Sequence, residues 1–166
     1  MGLNRMRADR SRRSERPAKP LKARAIALLA RREYSRADIR ARLVASGDEA
    51  DAAQVDAVLD ELVALGYLSD ARFANAVAAQ KSRSHGKRAI GATLRARGVD
   101  DDAIAGALEA SGIDDERAMV ALWRRRFGKA PADDREKGRQ VRFLQSRGFA
   151  LPAILKLLRD PPDETG

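Results

Sequence analysis

Apolar residues recur every three or four positions along most of this chain, and no proline interrupts them between Pro20 and Pro131. This spacing places apolar side chains along one face of a helix, whereas the strict alternation that indicates a strand is absent. Only 4% of the residues are aromatic, so the apolar residues are mostly small, which suits closely packed helices. The sequence therefore predicts an all-α protein of nine helices with no sheet.

Leucine followed four residues later by glycine recurs in two interleaved series. One series ends at Gly47, Gly98 and Gly148, and the other ends at Gly66 and Gly112. Glycine just past a helix end avoids the steric cost of a left-handed backbone, and the leucine anchors the last helical turn. The spacings of 46 to 51 residues predict three tandem three-helix repeats, which bury faces only between neighbours and so form an elongated, curved stack.

These glycines also set the expected domain limits. We expect helical repeats over residues 21–68, 69–113 and 114–160. Residues 1–20 contain seven Lys/Arg, two acids and two prolines with almost no apolar periodicity, which is typical of a disordered basic tail. Residues 161–166 are expected to form a short second tail.

The composition restricts the chemistry that the chain can support. Because there is no cysteine and only one histidine, disulfides, thiolate nucleophiles, Cys-ligated zinc and His-rich metal sites are excluded. Acids are plentiful, but no pair stands out as a general acid and base, and no nucleophile has an evident partner. We expect no enzymatic activity, no cofactor and no metal site. No apolar run approaches the roughly 20 residues of a membrane span, so we expect a cytoplasmic protein without membrane contact.

Positive and negative charges alternate in blocks along the chain. Residues 48–70 and 100–116 each hold seven acids and no base, whereas residues 71–99 hold seven bases and no acid. Carboxylates at helix starts complement the helix dipole, which accounts for some of these acids. Stacked repeats would align the basic helices into a positive stripe that binds a phosphate backbone or an acidic protein surface. A solvated charged face is the simpler alternative.

One basic turn lies between two predicted helices at residues 82–88. Its glycine and its cations offer backbone N–H groups and positive charges that can hold a phosphate or a carboxylate, although the turn lacks P-loop spacing. We expect His85 to be an exposed turn residue rather than a catalytic base. Trp123 and Phe127 share a helix face and are expected in the core. The candidate binding residues are Arg31, Arg32, Arg40, Arg72, Arg83, Lys87, Arg88, Arg95, Arg97, Arg124, Arg125 and Arg147.

Three phrases occur in a specific order and spacing: ALLARREYS at residues 27–35, LGYLSDARFA at 65–74 and FLQSRGF at 143–149. Together with Ile90, Leu94, Arg97 and Gly98 they resemble the RecX family of regulators of the RecA recombinase. The resemblance covers about residues 23–158. It implies three tandem three-helix repeats, with no catalytic residue and no cofactor.

The resemblance also implies a function. A member of this family binds in the helical groove of the RecA–single-stranded DNA filament and limits its growth or promotes its disassembly. Recombination, ATP turnover and coprotease activity would then fall during DNA repair and the SOS response. The implied partners are the RecA filament and single-stranded DNA, with double-stranded DNA as a further candidate, and we expect a monomer. The usual Gly-x-Gly-Pro turn reads His-Gly-Lys-Arg-Ala at residues 85–89, and Thr93 stands where Glu is frequent, so the local positive charge is raised.

The alternative is a helix-turn-helix-like DNA-binding protein that acts without RecA. The helices predicted over residues 35–47 and 86–98 would be its recognition helices. Their outward residues are Arg and Lys, with few Asn or Gln to read adenine, which gives little support to sequence-specific binding. A scaffold that binds only protein is a third interpretation.

Overall fold

A computed structural model of the chain describes residues 20–45 and 51–162. Nine α-helices and no strand are present in these two ranges, which confirms the predicted all-α fold class. The predicted tail up to residue 19, the terminator Gly47 and residues 163–166 lie outside the described residues. The helices are α1 (Leu21–Leu29), α2 (Arg36–Ala45), α3 (Ala52–Ala64), α4 (Asp70–Lys81), α5 (Lys87–Arg95), α6 (Asp101–Ala110), α7 (Asp115–Arg126), α8 (Asp134–Ser146) and α9 (Leu151–Arg159).

Three separate hydrophobic cores follow one another along the chain. The first lies between α1, α2 and α3 around Ile39 and Leu59. The second lies between α4, α5 and α6 around Leu94, and the third lies between α7, α8 and α9 around Trp123 and Leu144. We call the three helix triplets unit 1, unit 2 and unit 3. Each core contains eight or nine buried residues, and each lies within a single unit.

The predicted Leu-xxx-Gly phrases form the ends of the helices. Gly98, for example, has a φ of 74°, and the N–H of Val99 after it donates to the Leu94 carbonyl at 3.2 Å. This is the Schellman arrangement, in which the leucine carbonyl is satisfied by the residue that follows the glycine. The predicted terminators with a positive φ are Gly66, Gly98, Gly112 and Gly148.

A polar junction joins unit 1 to unit 2 at the start of α2. The Ser35 hydroxyl caps α2 and also donates to the carbonyl of Arg97 in unit 2 at 2.7 Å. The backbone N–H of Arg36 donates to Oδ1 of Asp70, the first residue of α4, at 2.7 Å. The start of one unit's second helix therefore sits on the glycine turn and the first helix of the next unit.

The junction between unit 2 and unit 3 repeats this arrangement. The backbone N–H of Gly86, just before α5, donates to the carbonyl of Arg147 at 2.9 Å. The N–H of Lys87 donates to Oδ1 of Asp115, the first residue of α7, at 2.9 Å. These hydrogen bonds run from unit 1 to unit 2 and from unit 2 to unit 3, which is the linear order of an elongated stack.

Close backbone approach makes glycine necessary in the junction turns. A Cβ on Gly98 would lie 2.7 Å from the Cβ of Ala37. A Cβ on Gly148 would lie 2.5 Å from the Cβ of Ala89 and 2.6 Å from its backbone nitrogen. Gly112 also has a positive φ, but a Cβ there would meet nothing within 4 Å. The junction glycines therefore serve both the turn and the contact between units.

Gly148→Ala should destabilise the protein more than Gly112→Ala. Both substitutions place a side chain at a positive φ, which costs roughly 1–2 kcal/mol. At Gly148 the overlap with Ala89 adds about 1–3 kcal/mol, because backbone atoms must shift. Urea unfolding of the two variants and the parent protein measures this difference. Equal losses of stability would contradict the tight junction.

Candidate functional site

Ion pairs within the units occupy two of the candidate cations. Arg40 Nε lies 2.8 Å from Oδ1 of Asp56 across α2 and α3, and Arg95 Nε lies 2.7 Å from Oδ1 of Asp101 across α5 and α6. The hydrogen bond from Arg40 lowers the pKa of the Asp56 carboxyl. The acidic third helices of units 1 and 2 thus partly neutralise the basic helices beside them.

Two further candidates bridge units 1 and 2. Arg72 Nε lies 2.9 Å from Oε1 of Glu33, and Arg97 Nη1 lies 2.8 Å from Oδ2 of Asp38. Ion pairs at such exposed positions contribute little to stability, with a median of about 0–1 kcal/mol. Their effect here is to place carboxylates beside cations that would otherwise be available to a phosphate.

The unit 1 candidates Arg31 and Arg32 lie exposed between α1 and α2, next to the buried ring of Tyr34. The Arg32 guanidinium carbon is 4.4 Å from the ring centroid, and that of Arg42 is 5.2 Å away. A hydrogen bond from Arg32 lowers the pKa of the Tyr34 hydroxyl, and the charges of Arg42 and Arg31 act in the same direction.

Five candidates lie on the elements that form the junction between units 2 and 3. Arg125 Nη2, from α7, donates to the carbonyl of Arg83 at 3.3 Å, and Arg147 Nη1 lies 3.3 Å from Nε2 of His85. No carboxylate in residues 20–45 or 51–162 forms an ion pair with these five side chains. We call this group the junction site: Arg83, Lys87, Arg88, Arg125 and Arg147.

Several backbone N–H groups of the basic turn are already hydrogen-bonded within the fold. The N–H groups of Ser84 and His85 both donate to the Lys81 carbonyl at 3.0 Å. Those of Gly86 and Lys87 are used in the junction between units 2 and 3. These four N–H groups cannot bind an anion without breaking contacts of the fold, and the expected phosphate or carboxylate contact of the turn stays a prediction.

His85 is half-buried in the junction, so the expectation of an exposed turn residue is wrong. Its Nδ1 lies 2.9 Å from the Ser84 hydroxyl, and its Nε2 faces Arg147. Burial lowers the pKa of the imidazole, and the charges of Lys81 and Arg147 lower it further. A neutral His85 accepts a hydrogen bond from Arg147, whereas a protonated ring would add a third cation.

The stability of the protein should depend on the protonation of His85. The unfolded chain binds the proton near the ordinary pKa of 6.5, whereas the folded protein binds it only at lower pH. The free energy of unfolding therefore falls as the pH drops below 6.5. We expect His85→Gln to flatten this dependence in urea titrations between about pH 7.5 and pH 5.5.

The Asp56 carboxyl does not contribute to the pH dependence measured in this window. Its pKa is lowered from 3.8, so it titrates outside the window used for His85. If the parent and the His85→Gln variant lose stability in parallel as the pH falls, His85 is not the responsible group.

Two cations of unit 3 were not among the candidate binding residues. Arg126 and Arg139 lie over the ring of Phe127, which is partly buried beside the fully buried Trp123, as expected of that pair. Arg139 and Arg142 belong to a helical i, i+4, i+7 series along α8 that could have indicated this surface. The remaining candidate, Arg124, is exposed in the last turn of α7 and makes contacts of its own.

Within the part of the chain that the structure describes, no three acidic or histidine side chains come together in a way that could hold a metal ion. None of the helices described above is both long and apolar enough to cross a bilayer.

Two family models match consecutive parts of the chain. Residues 69–108 match the second three-helix domain of RecX, and residues 114–158 match the third. The regulatory protein RecX of Chromobacterium violaceum is 44% identical over 146 residues, which cover 88% of this chain and 93% of that relative. The chain belongs to the RecX family. RecX regulatory proteins of Leptothrix cholodnii and of Thermus thermophilus are 41% and 37% identical, over 88% and 84% of this chain and 92% and 91% of theirs.

Solved RecX structures share the fold. The crystal structure of RecX from Lactobacillus salivarius superposes with a TM-score of 0.63, covers 84% of this chain and 92% of its own, and is 17% identical. A second RecX regulatory protein gives a TM-score of 0.62 at 19% identity, over 84% of this chain and 72% of its own. At these identities the RecX structures support the arrangement of the helices and nothing finer.

Proposed function

We propose that this chain is a negative modulator of the RecA recombinase. It binds in the groove of the RecA–single-stranded DNA filament in the cytoplasm and inhibits the recombinase, ATPase and coprotease activities during DNA repair and the SOS response. It acts as a non-enzymatic monomer built from repeats at residues 21–68, 69–113 and 114–160. The observation that carries the proposal is the linear array of units with one repeated junction, in a chain of the RecX family.

The repeated array explains how individually weak contacts can give stable binding to the filament. A rod of similar units can follow a filament of similar subunits, so several contacts add up once the first has formed. The junction site offers cations for DNA phosphates or for acidic RecA surface. The ion-paired cations Arg40, Arg72, Arg95 and Arg97 contribute less, because a phosphate must compete with their carboxylates.

The junctions argue against the helix-turn-helix alternative. A recognition helix places its N-terminal residues against base edges in the major groove. The start of α2 lies instead against Arg97 and Asp70, and the start of α5 lies against Arg147 and Asp115. Neither helix could enter a groove by its N-terminus without separating two units.

The chain should inhibit RecA at substoichiometric amounts. Titration into preformed RecA filaments on single-stranded DNA is expected to lower both ATP hydrolysis and strand exchange, because one rod contacts several subunits. Unchanged rates across a full titration would overturn the proposal. Co-sedimentation with filaments and with bare single-stranded DNA, side by side, separates filament binding from DNA binding alone.

Replacing Lys87 and Arg88 by Ala should flatten the salt dependence of single-stranded DNA binding. Each phosphate contact contributes about 0.7 to the slope of log K against log salt concentration, so two lost contacts lower the slope by about 1.4. The matched control is the pair Arg40→Ala and Arg95→Ala, which removes the same charge from ion-paired positions. An unchanged slope in the Lys87/Arg88 variant would exclude these two residues as phosphate contacts.

A further inference from the structure

Two phenylalanines in unit 3 hold three arginines on an exposed surface. The rings of Phe127 and Phe143 meet edge to face, with centroids 5.4 Å apart and an interplanar angle of 87°. The Arg126 guanidinium carbon lies 5.6 Å from the first ring centroid and 5.9 Å from the second. Arg139 lies 5.7 Å from the Phe127 ring, and Arg147 lies 5.2 Å from the Phe143 ring. We call these five residues the arginine–phenylalanine cluster.

A buried polar contact fixes the rings. Trp123 Nε1 of α7 donates to Oε1 of Gln140 in α8 at 2.8 Å, and both side chains are buried. The Gln140 amide nitrogen donates in turn to the carbonyl of Lys129 at 3.3 Å. These bonds tie the connection that carries Phe127 to the middle of α8, so the rings present a fixed support to the arginines.

The surroundings of the cluster are strongly positive. Residues 117–147 hold ten bases and three acids, and all three acids lie at the start of α8. Asp133 accepts from the backbone N–H of Glu136 at 2.7 Å, and Glu136 accepts from that of Ala132 at 3.0 Å. Glu136 reaches Arg139 only at 3.9 Å. Among the described residues, no carboxylate pairs with Arg126 or Arg147.

We propose that the arginine–phenylalanine cluster binds single-stranded nucleic acid, with the guanidinium edges on phosphates and the bases stacked on the outer guanidinium faces. A guanidinium that lies on an aromatic ring keeps its N–H groups directed outward, and its reduced freedom lowers the entropic cost of binding. Arginine also forms two parallel hydrogen bonds with a phosphate.

The guanidinium faces that the rings support select the single strand. Bases in a single strand expose faces that stack on aromatic rings and arginines, whereas a duplex hides them. An acidic peptide has charges but no comparable face to stack, so it would use only half of this surface. The cluster shares Arg147 with the junction site, so a strand bound here continues toward Arg83 and Lys87.

This site rests on the proposed function for its biological ligand, single-stranded DNA in a filament. Its binding can be measured without RecA. The probe is a fluorescently labelled oligo-dT of about 20 nucleotides, beside a duplex of equal length, in anisotropy titrations of the full chain at several salt concentrations.

Two variants test the cluster by different means. Arg126→Ala with Arg139→Ala removes two charges, and Phe143→Leu keeps the charges and the apolar volume but removes a ring. We expect each to weaken oligo-dT binding about tenfold, with a smaller effect on the duplex for Phe143→Leu. The matched control is Arg117→Ala with Lys137→Ala, which removes two charges from other faces of α7 and α8 and should change binding less than about twofold.

The outcomes are distinct. If both test variants bind oligo-dT as the control does, or if polyglutamate competes as well as unlabelled oligo-dT, the cluster is not a single-strand site. Thermal melts of all variants show that a loss of binding is not a loss of folding. If the parent chain binds oligo-dT through the cluster but leaves RecA ATPase unchanged, the proposed function fails and this inference stands. If the parent chain inhibits RecA ATPase but the cluster variants bind oligo-dT normally, the proposed function stands and this inference fails.

Discussion

The junction between successive units is the contact on which the arrangement of this molecule depends. Each core is too small to hold its neighbours in place by apolar contact, and the cores are separate. The order of the units instead comes from the start of a second helix, which rests on the glycine turn of the next unit and binds its leading aspartate. Each junction pairs a backbone N–H of the second helix with the carboxylate of the next unit's leading aspartate. The contact to the glycine turn comes from the Ser35 hydroxyl at one junction and from the Gly86 backbone N–H at the other.

The functional surfaces follow from the same contact. Residues 82–88 lie within it, so the backbone donors of Gly86 and Lys87 are used for folding while the charged side chains remain available. Arg125 and Arg147 reach this turn from unit 3 only because the junction brings α7 and the end of α8 against it. The arginine–phenylalanine cluster lies beside this turn. It shares Arg147 with the junction site.

The sequence contained enough information for the helices and their ends, because these depend on local rules. The spacing of Leu94 and Gly98 and the lack of proline before Pro131 were sufficient to predict the helical repeat. The junction could not be predicted, since a backbone carbonyl such as that of Arg97 carries no residue-specific signal across 62 positions. The burial of His85 was missed for the same reason. The block pattern of charge was visible, but the ion pair of Arg40 with Asp56 depends on how α2 packs on α3.

The start of α8 differs from the starts of α2 and α5 in the contacts that it makes. In units 1 and 2, the N–H group at the corresponding position donates to an aspartate of the following unit. In unit 3 the side chain of Asp133 caps the helix, and Glu136 folds back onto the N–H of Ala132. These two hydrogen bonds lie within unit 3, whereas the first N–H groups of α2 and α5 hold the following unit in place.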